Sequence, residues 1–218
     1  MLQRIASFFR PALVLLGLFL LIGLAGLTFQ GIRTLQTLTA VEAERDQWQR
    51  PSDVIQALNL KDGSVVVDLG SGAGYFTLKL SDTAGPSGEV IAVDLRRFSL
   101  LFLHIRALLQ GKHNVQIILG DPDDPHLPAR KVDSVLIANT YHELTAPQSI
   151  LHHLLQALRP GGRLVVVDRS EGEAPHHVSP EAVEMDLRRE GFKITNLEDS
   201  FIHRSDEDSW WLIVATRP

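Results

Sequence analysis

The sequence predicts an α/β fold: a three-layer sandwich built on a Rossmann-like, mostly parallel sheet of about seven strands. Three observations carry this. Short β-rich runs alternate with helical stretches from residue 64 to residue 170. The runs VVVDL and LVVVD are apolar without alternation, as strands covered on both faces must be. After residue 190 two further runs follow each other with no helix between them, which makes an antiparallel pair closing the sheet.

The strands fall at Ser64–Leu69, Glu89–Val93, Val115–Leu119, Val132–Ala138 and Arg163–Asp168, with the final pair at Phe192–Ile202 and Trp210–Thr216. Helices are expected at Tyr75–Thr83, Phe98–Gln110, Pro147–Leu158 and from Pro180 through Arg189, where Ser179 is a cap and Pro180 lies in the first turn. Ser52 or Asp53 caps a shorter helix carrying Val54, Ile55 and Leu58 on one face. Arg-Pro-Gly-Gly at 159–162 ends one helix and turns into the next strand. The expected division is residues 1–30 as a membrane helix, 31–50 as a helical linker and 51–218 as the α/β domain.

Ala12–Phe29 is eighteen residues without a charge. At 1.5 Å per residue it spans about 27 Å, close to the hydrocarbon thickness of a bilayer. The run is long for a signal peptide, and Leu27–Gly31 makes a poor cleavage site. A retained single-pass anchor is expected. The basic residues flanking it are nearly balanced and nominally put the N-terminus inside, which would leave the domain outside. Against that slight bias the domain is expected in the cytoplasm, where the ligand of the glycine loop at 70–74 is supplied.

The net charge is −5 and there is no basic tract, so no nucleic-acid partner is expected. The chain contains no cysteine, which excludes a disulfide framework, a thiolate metal site and a cysteine nucleophile. No metal is expected.

The chemistry concentrates at Val65–Leu80, VVVDLGSGAGYFTLKL, a strand, a glycine loop and a helix start. Gly70, Gly72 and Gly74 let the backbone turn tightly against a ligand at the position where open α/β sheets bind one. Dinucleotide enzymes also use a glycine loop, but here the spacing is GxGxG and Asp68 ends the strand before it. A carboxylate there repels a pyrophosphate and suits the ammonium of a methionine moiety. Asp94 ends the second strand and is placed to accept from two ribose hydroxyls, and Asp121 after the third strand to meet an adenine amino group. Asp123 and Asp124 read as solvated turn residues.

VVVDLGSGAGYFT, VIAVDL, GDPDD, VDSVLIANTYHEL and ALRPGGRLVVVD, in this order and at these separations, resemble the class I S-adenosylmethionine-dependent methyltransferases. The resemblance covers roughly Pro51 to Pro218 and is nearest to small bacterial methyltransferase-domain proteins similar to ubiquinone/menaquinone C-methyltransferases. It implies S-adenosyl-L-methionine as cofactor, with Asp68 and the three glycines at its methionine end, Asp94 at the ribose, Asp121 at the adenine and Asn139 near the sulfonium. The membrane helix departs from that soluble pattern.

The acceptor side is expected beyond the fourth strand, at Asn139–Leu144. His142 is the candidate general base and Tyr141 a candidate pocket residue, with the plainer readings that His142 starts a helix and Tyr141 packs. His176 and His177 follow the fifth strand on the same sheet edge. His152 and His153 are expected on an exposed helix face, and Trp210 and Trp211 in the core. The anchor favours a small-molecule or lipid-like acceptor such as a quinone precursor. The competing readings are a non-catalytic membrane scaffold of the same fold and a nicotinamide-dependent oxidoreductase.

Overall fold

The computed structural model describes residues 2–170, 177–205 and 208–218. The chain divides into two units, Met1–Gln47 and Trp48–Pro218. The first consists of helix α1, Leu2–Trp48, which continues unbroken through the expected linker. Among the described residues it is the one helix long and apolar enough to cross a membrane, and the side chains from Leu18 to Ile22 are exposed along it.

The second unit is the expected sandwich. Its strands are β1 (Val65–Leu69), β2 (Glu89–Asp94), β3 (Val115–Leu119), β4 (Val132–Ala138), β5 (Leu158–Arg169), β6 (Lys193–Ser205) and β7 (Asp208–Thr216). They form one sheet in the order β3-β2-β1-β4-β5-β7-β6. The first five are parallel, and β7 runs antiparallel to both β5 and β6. The order reverses between β1 and β4, so a crevice opens at the carboxyl ends of the strands, as doubly wound sheets require.

Successive residues of β1, β4, β5 and β7 enter opposite cores. Val67, Ile137, Val166, Trp211 and Ile213 pack with Ile150, Leu154, Val183 and Leu187 of α5 (Pro147–Ala157) and α6 (Pro180–Glu190). Val66, Leu136, Val165, Trp210 and Leu212 pack with Val54, Leu58, Phe76 and Leu80 of α2 (Pro51–Ala57) and α3 (Tyr75–Ala84). Two covered faces are the reason these strands read as unbroken apolar runs. Trp210 and Trp211 are fully buried, one in each core, as anticipated.

Two local expectations are corrected. Neither Ser52 nor Asp53 caps α2: Arg50 holds the cap position at φ 50° and Pro51 opens the helix, while Asp53 takes an ion pair from Arg50 Nε at 2.6 Å. Proline at the first helical position costs no hydrogen bond, so it starts this helix rather than merely interrupting the preceding one. Strand β5 begins at Leu158 and not at Arg163. The reason is backbone pairing: Gly161 donates to the Arg217 carbonyl and Arg217 donates back to Gly162, each at 2.9 Å, so the Pro-Gly-Gly segment is held against the C-terminus.

Candidate functional site

The crevice is built from the carboxyl ends of β1, β2, β3, β4 and β5. On its β1–β2–β3 side lies a cavity of about 210 Å³ whose lining includes Gly70, Asp94, Arg96, Asp121, Thr140 and Glu143. The glycine loop meets it at Gly70. Gly70 and Ser71 both donate backbone N–H bonds to the Val93 carbonyl, at 2.8 and 3.0 Å, so β2 fixes the turn. Arg106, buried on α4 (Arg97–Leu109), donates to the Ala73 carbonyl from the other side.

Two of the three glycines are demanded by the fold itself. Gly70 has φ +79°, and a Cβ there would stand 2.3 Å from the Thr140 side chain; at Gly74, with φ +93°, it would stand 2.2 Å from Leu103 Cδ1. Gly72 differs, because a Cβ would meet only Arg96 Nη2 at 3.8 Å. Gly70→Ala is therefore expected to destabilise the domain by about 2–5 kcal/mol, combining left-handed strain with overpacking. Gly72→Ala should cost only about 1 kcal/mol in the fold. Urea unfolding of the two variants checks the difference.

Each expected cofactor residue reaches this edge of the sheet, but in its own setting. Asp68 is buried and its Oδ2 accepts from Thr77 Oγ1 at 2.6 Å, which ties the carboxylate to α3 behind the loop. Asp94 is engaged on both oxygens. Oδ2 accepts from Gly72 N at 2.8 Å, and Oδ1 from Arg96 N at 2.9 Å and Nε at 3.0 Å. Burial alone would push this carboxyl up, but the Arg96 and Gly72 hydrogen bonds outweigh it and hold it below its ordinary value. Asp121 is exposed, closes a tight turn with Asp124, and accepts from His126 Nε2 at 2.9 Å. Asn139 terminates β4 at φ +54° with its backbone N bonded to Val167 O.

The β4–β5 side carries the second group. His142 sits in a single 3-10 turn, Tyr141–Glu143, and its Nδ1 lies 2.8 Å from Oδ1 of Asp168. The pair is sequestered: the His142 side chain is 4% exposed and that of Asp168 0%. Asp168 also accepts from the backbone N–H of His142 at 3.2 Å and of Arg169 at 2.8 Å. Its hydrogen bond raises the imidazole pKa above the ordinary value, against burial, with the charges of Asp168 and Glu143 adding to the rise. The Nε2 face lies 3.9 Å from Glu143, whose side chain is largely exposed.

Tyr141 goes elsewhere. Its ring is buried in the α5–α6 core and its hydroxyl donates to Asp186 Oδ2 on α6 at 3.1 Å. Burial and the Asp186 charge push the phenol pKa far above its usual range. The structure thus corrects the pocket role to a packing one. Tyr141→Phe is expected to cost about 0.5–1.5 kcal/mol of stability and to leave cofactor affinity unchanged, measured by thermal unfolding and ligand titration. His177 is exposed, and His176 lies outside the described residues. His152 and His153 sit on α5 facing Glu190 and Asp124 respectively, which is the exposed-face setting expected of them.

Four buried polar atoms at this edge have no hydrogen-bond partner among the described residues: Ser71 Oγ, Asn139 Oδ1, Arg169 Nε and Ser170 Oγ. They come from the ends of β1, β4 and β5. Buried polar atoms left unpaired cost about 1–3 kcal/mol each, and unpaired atoms at the strand ends where a doubly wound sheet binds ligands fit an edge built to take polar partners.

The sheet order, the glycine loop and the acids at successive strand ends together define a nucleoside-cofactor site of the methyltransferase kind. The chain belongs to the methyltransferase-domain family, whose pattern matches residues 60–210. A ubiquinone/menaquinone biosynthesis C-methyltransferase of Ectopseudomonas mendocina is 32% identical over 129 residues, which is 59% of this chain and 50% of that protein. The chain thus spans about half the length of such relatives. An S-adenosylmethionine-dependent methyltransferase of Aquifex aeolicus superposes with a TM-score of 0.69 at 25% identity, covering 77% of this chain and 89% of that one. The fold is also shared with phosphoethanolamine N-methyltransferase 2 of Haemonchus contortus in complex with S-adenosyl-L-methionine, at a TM-score of 0.66 and 15% identity over 78% and 53% of the two chains. The chain thus carries a methyltransferase domain.

Asp168, Arg96, Thr140 and Arg106 were not singled out by sequence. For Asp168 a signal existed: it ends its strand in LVVVD just as Asp68 ends VVVDL.

Proposed function

We propose that the protein methylates a small lipophilic acceptor bearing an acidic C–H or O–H, of the quinone-precursor class, at a membrane to which α1 anchors it. The observation that carries this is the His142–Asp168 pair beside the unpaired atoms of Asn139, Arg169 and Ser170. Two halves of one crevice then divide the work.

On the β1–β2–β3 side the chain holds S-adenosylmethionine. Asp68 faces its ammonium, with Gly70, Gly72 and Gly74 allowing the backbone close. Asp94 takes the ribose hydroxyls once the exposed arm of Arg96 swings aside. A half-exposed ion pair of this kind is worth about 0–1 kcal/mol, so its displacement is cheap. The cavity of about 210 Å³ is smaller than a whole drug-sized site, and suits the adenosine end alone, near Asp121. Ser71 Oγ and Asn139 Oδ1 supply polar partners toward the sulfonium.

When bound, S-adenosylmethionine would supply an electrophilic methyl group whose leaving group is a neutral thioether. On the β4–β5 side His142 accepts the acceptor's proton at Nε2, and Asp168 fixes the tautomer through Nδ1 and stabilises the imidazolium that results. Asp168 acts through His142 and is a positioning residue.

The relative in E. mendocina acts in ubiquinone/menaquinone biosynthesis, and the apolar α1 supports an acceptor of similar solubility here. The domain is assigned to the cytoplasmic side, where the cofactor is made. Incubation of the full chain with methyl-labelled S-adenosylmethionine and a bacterial membrane extract tests the reading. Label is expected in the organic-soluble fraction; label confined to water-soluble products would overturn the lipophilic acceptor.

A further inference from the structure

Helix α4 is apolar on nearly every side, yet only part of it is buried. Leu100, Leu103, Arg106 and Ala107 face the sheet. Phe98 is 87% exposed, Leu101 56%, Leu108 55% and Leu109 69%, and Ile105 is also exposed. At 100° per residue these five side chains fall within a wedge of about 100°, with Arg97 and His104 on its flank. Leu95, just before the helix, extends the patch to the rim of the cofactor cavity. A helix hydrophobic all round belongs in a core or a membrane, and contiguous apolar surface on a soluble face marks an interaction site.

The charge pattern indicates what covers it. Residues 95–120 contain Arg96, Arg97, Arg106 and Lys112 and no acidic residue, in a chain whose net charge is −5. Lys112 holds Asp82 and Arg106 is buried, while Arg96, though paired with Asp94, and Arg97 are both exposed at the helix start beside Phe98. An apolar wedge with a cation on its border and no acid on its own element is the pattern of a helix lying in the interface of an anionic bilayer.

We infer that α4 is a second, peripheral membrane contact, seating its Phe98–Leu109 face in the headgroup–acyl boundary of an anionic bilayer and bringing the rim of the cavity to the lipid surface. The inference rests on the anchoring by α1 proposed above, which confines the domain to a bilayer. Because a tethered face needs no bulk partitioning, five or six apolar side chains and one cation suffice to dock it.

The absence of cysteine makes the test direct. Full-length Phe98→Cys and Leu109→Cys, each carrying an environment-sensitive fluorophore, are reconstituted into vesicles of phosphatidylcholine and phosphatidylglycerol containing acyl-chain nitroxide lipid. Both labels are expected to be blue-shifted and quenched, while Glu181→Cys, on α6 across the sheet, stays aqueous. Arg97→Glu in the Phe98→Cys background should lower the docked-to-undocked ratio about fivefold; an unchanged ratio removes the anionic headgroup from the proposal. A blue shift without lipid quenching means that protein covers the face, either α1 or a second copy, and overturns it. Aqueous labels on a chain that floats with the vesicles overturn the docking alone. A chain that does not float overturns the anchor and the docking with it.

Discussion

Replacing His142 with Gln is expected to lower kcat for methyl transfer by about 100- to 10,000-fold, the range that a positioned proton acceptor contributes, with the dissociation constant for S-adenosylhomocysteine unchanged. Gln keeps a hydrogen-bonding group near Asp168 but cannot take the proton. Because His142 does not line the cavity at Asp94 and Asp121, catalysis and cofactor affinity should separate. Single-turnover transfer and isothermal titration give the two readouts. A kcat within threefold of the parent would remove His142 from the chemistry and leave it as a helix-start residue.

The pH dependence sharpens this. A proton acceptor works when neutral, so activity should rise with pH along a limb set by His142. Asp168 raises that pKa above the unfolded value of 6.5, so the limb is expected on the alkaline side of 6.5. Asp168→Asn removes the main cause of the rise. It should move the limb to lower pH while kcat falls, because the tautomer is no longer fixed; a purely structural role for Asp168 would leave the limb in place. Stability runs the other way. With the folded pKa raised, the pair stabilises the fold fully below about pH 6.5, and this contribution is lost as pH rises through the folded value. The protein should thus gain activity as it gives up part of its stability.

The sheet was legible because both faces of β1, β4 and β5 are covered, which leaves unbroken valine runs that no amphipathic helix produces. The glycine loop was legible for a related reason. Gly70 and Gly74 are fixed by backbone angle and by contacts with Thr140 and Leu103, and such constraints act at single positions. The edge of the site was less so. Tyr141 and His142 are neighbours, and nothing local says that a 3-10 turn sends one into the α5–α6 core and the other to Asp168, twenty-six residues away. The Arg96–Asp94 pair was hidden too, since an arginine two residues past a strand-end acid reads equally as surface charge. Side-chain direction at a strand end depends on the turn that follows, and that turn is set by tertiary packing.

The second large effect is expected at Asp68. Asp68→Asn preserves size and the acceptor for Thr77 Oγ1, so the 2.6 Å tie to α3 survives with its oxygen as amide. What is lost is the negative charge proposed to face the cofactor's ammonium. A hydrogen bond to a charged group is worth about 1.5–3 kcal/mol, which corresponds to a roughly 10- to 100-fold weaker Kd for S-adenosylmethionine. The loss should fall on binding, with kcat at saturating cofactor changed little, because the ammonium that Asp68 is proposed to face takes no part in methyl transfer. Sinefungin, which keeps the amino-acid portion, should lose affinity in parallel, whereas methylthioadenosine, which lacks it, should bind parent and variant equally. Equal weakening of all three ligands would mean that the substitution has disturbed the loop through Thr77. A loss confined to the ligands with an ammonium places Asp68 against that group, which is the chemical reason an acid precedes this GxGxG turn.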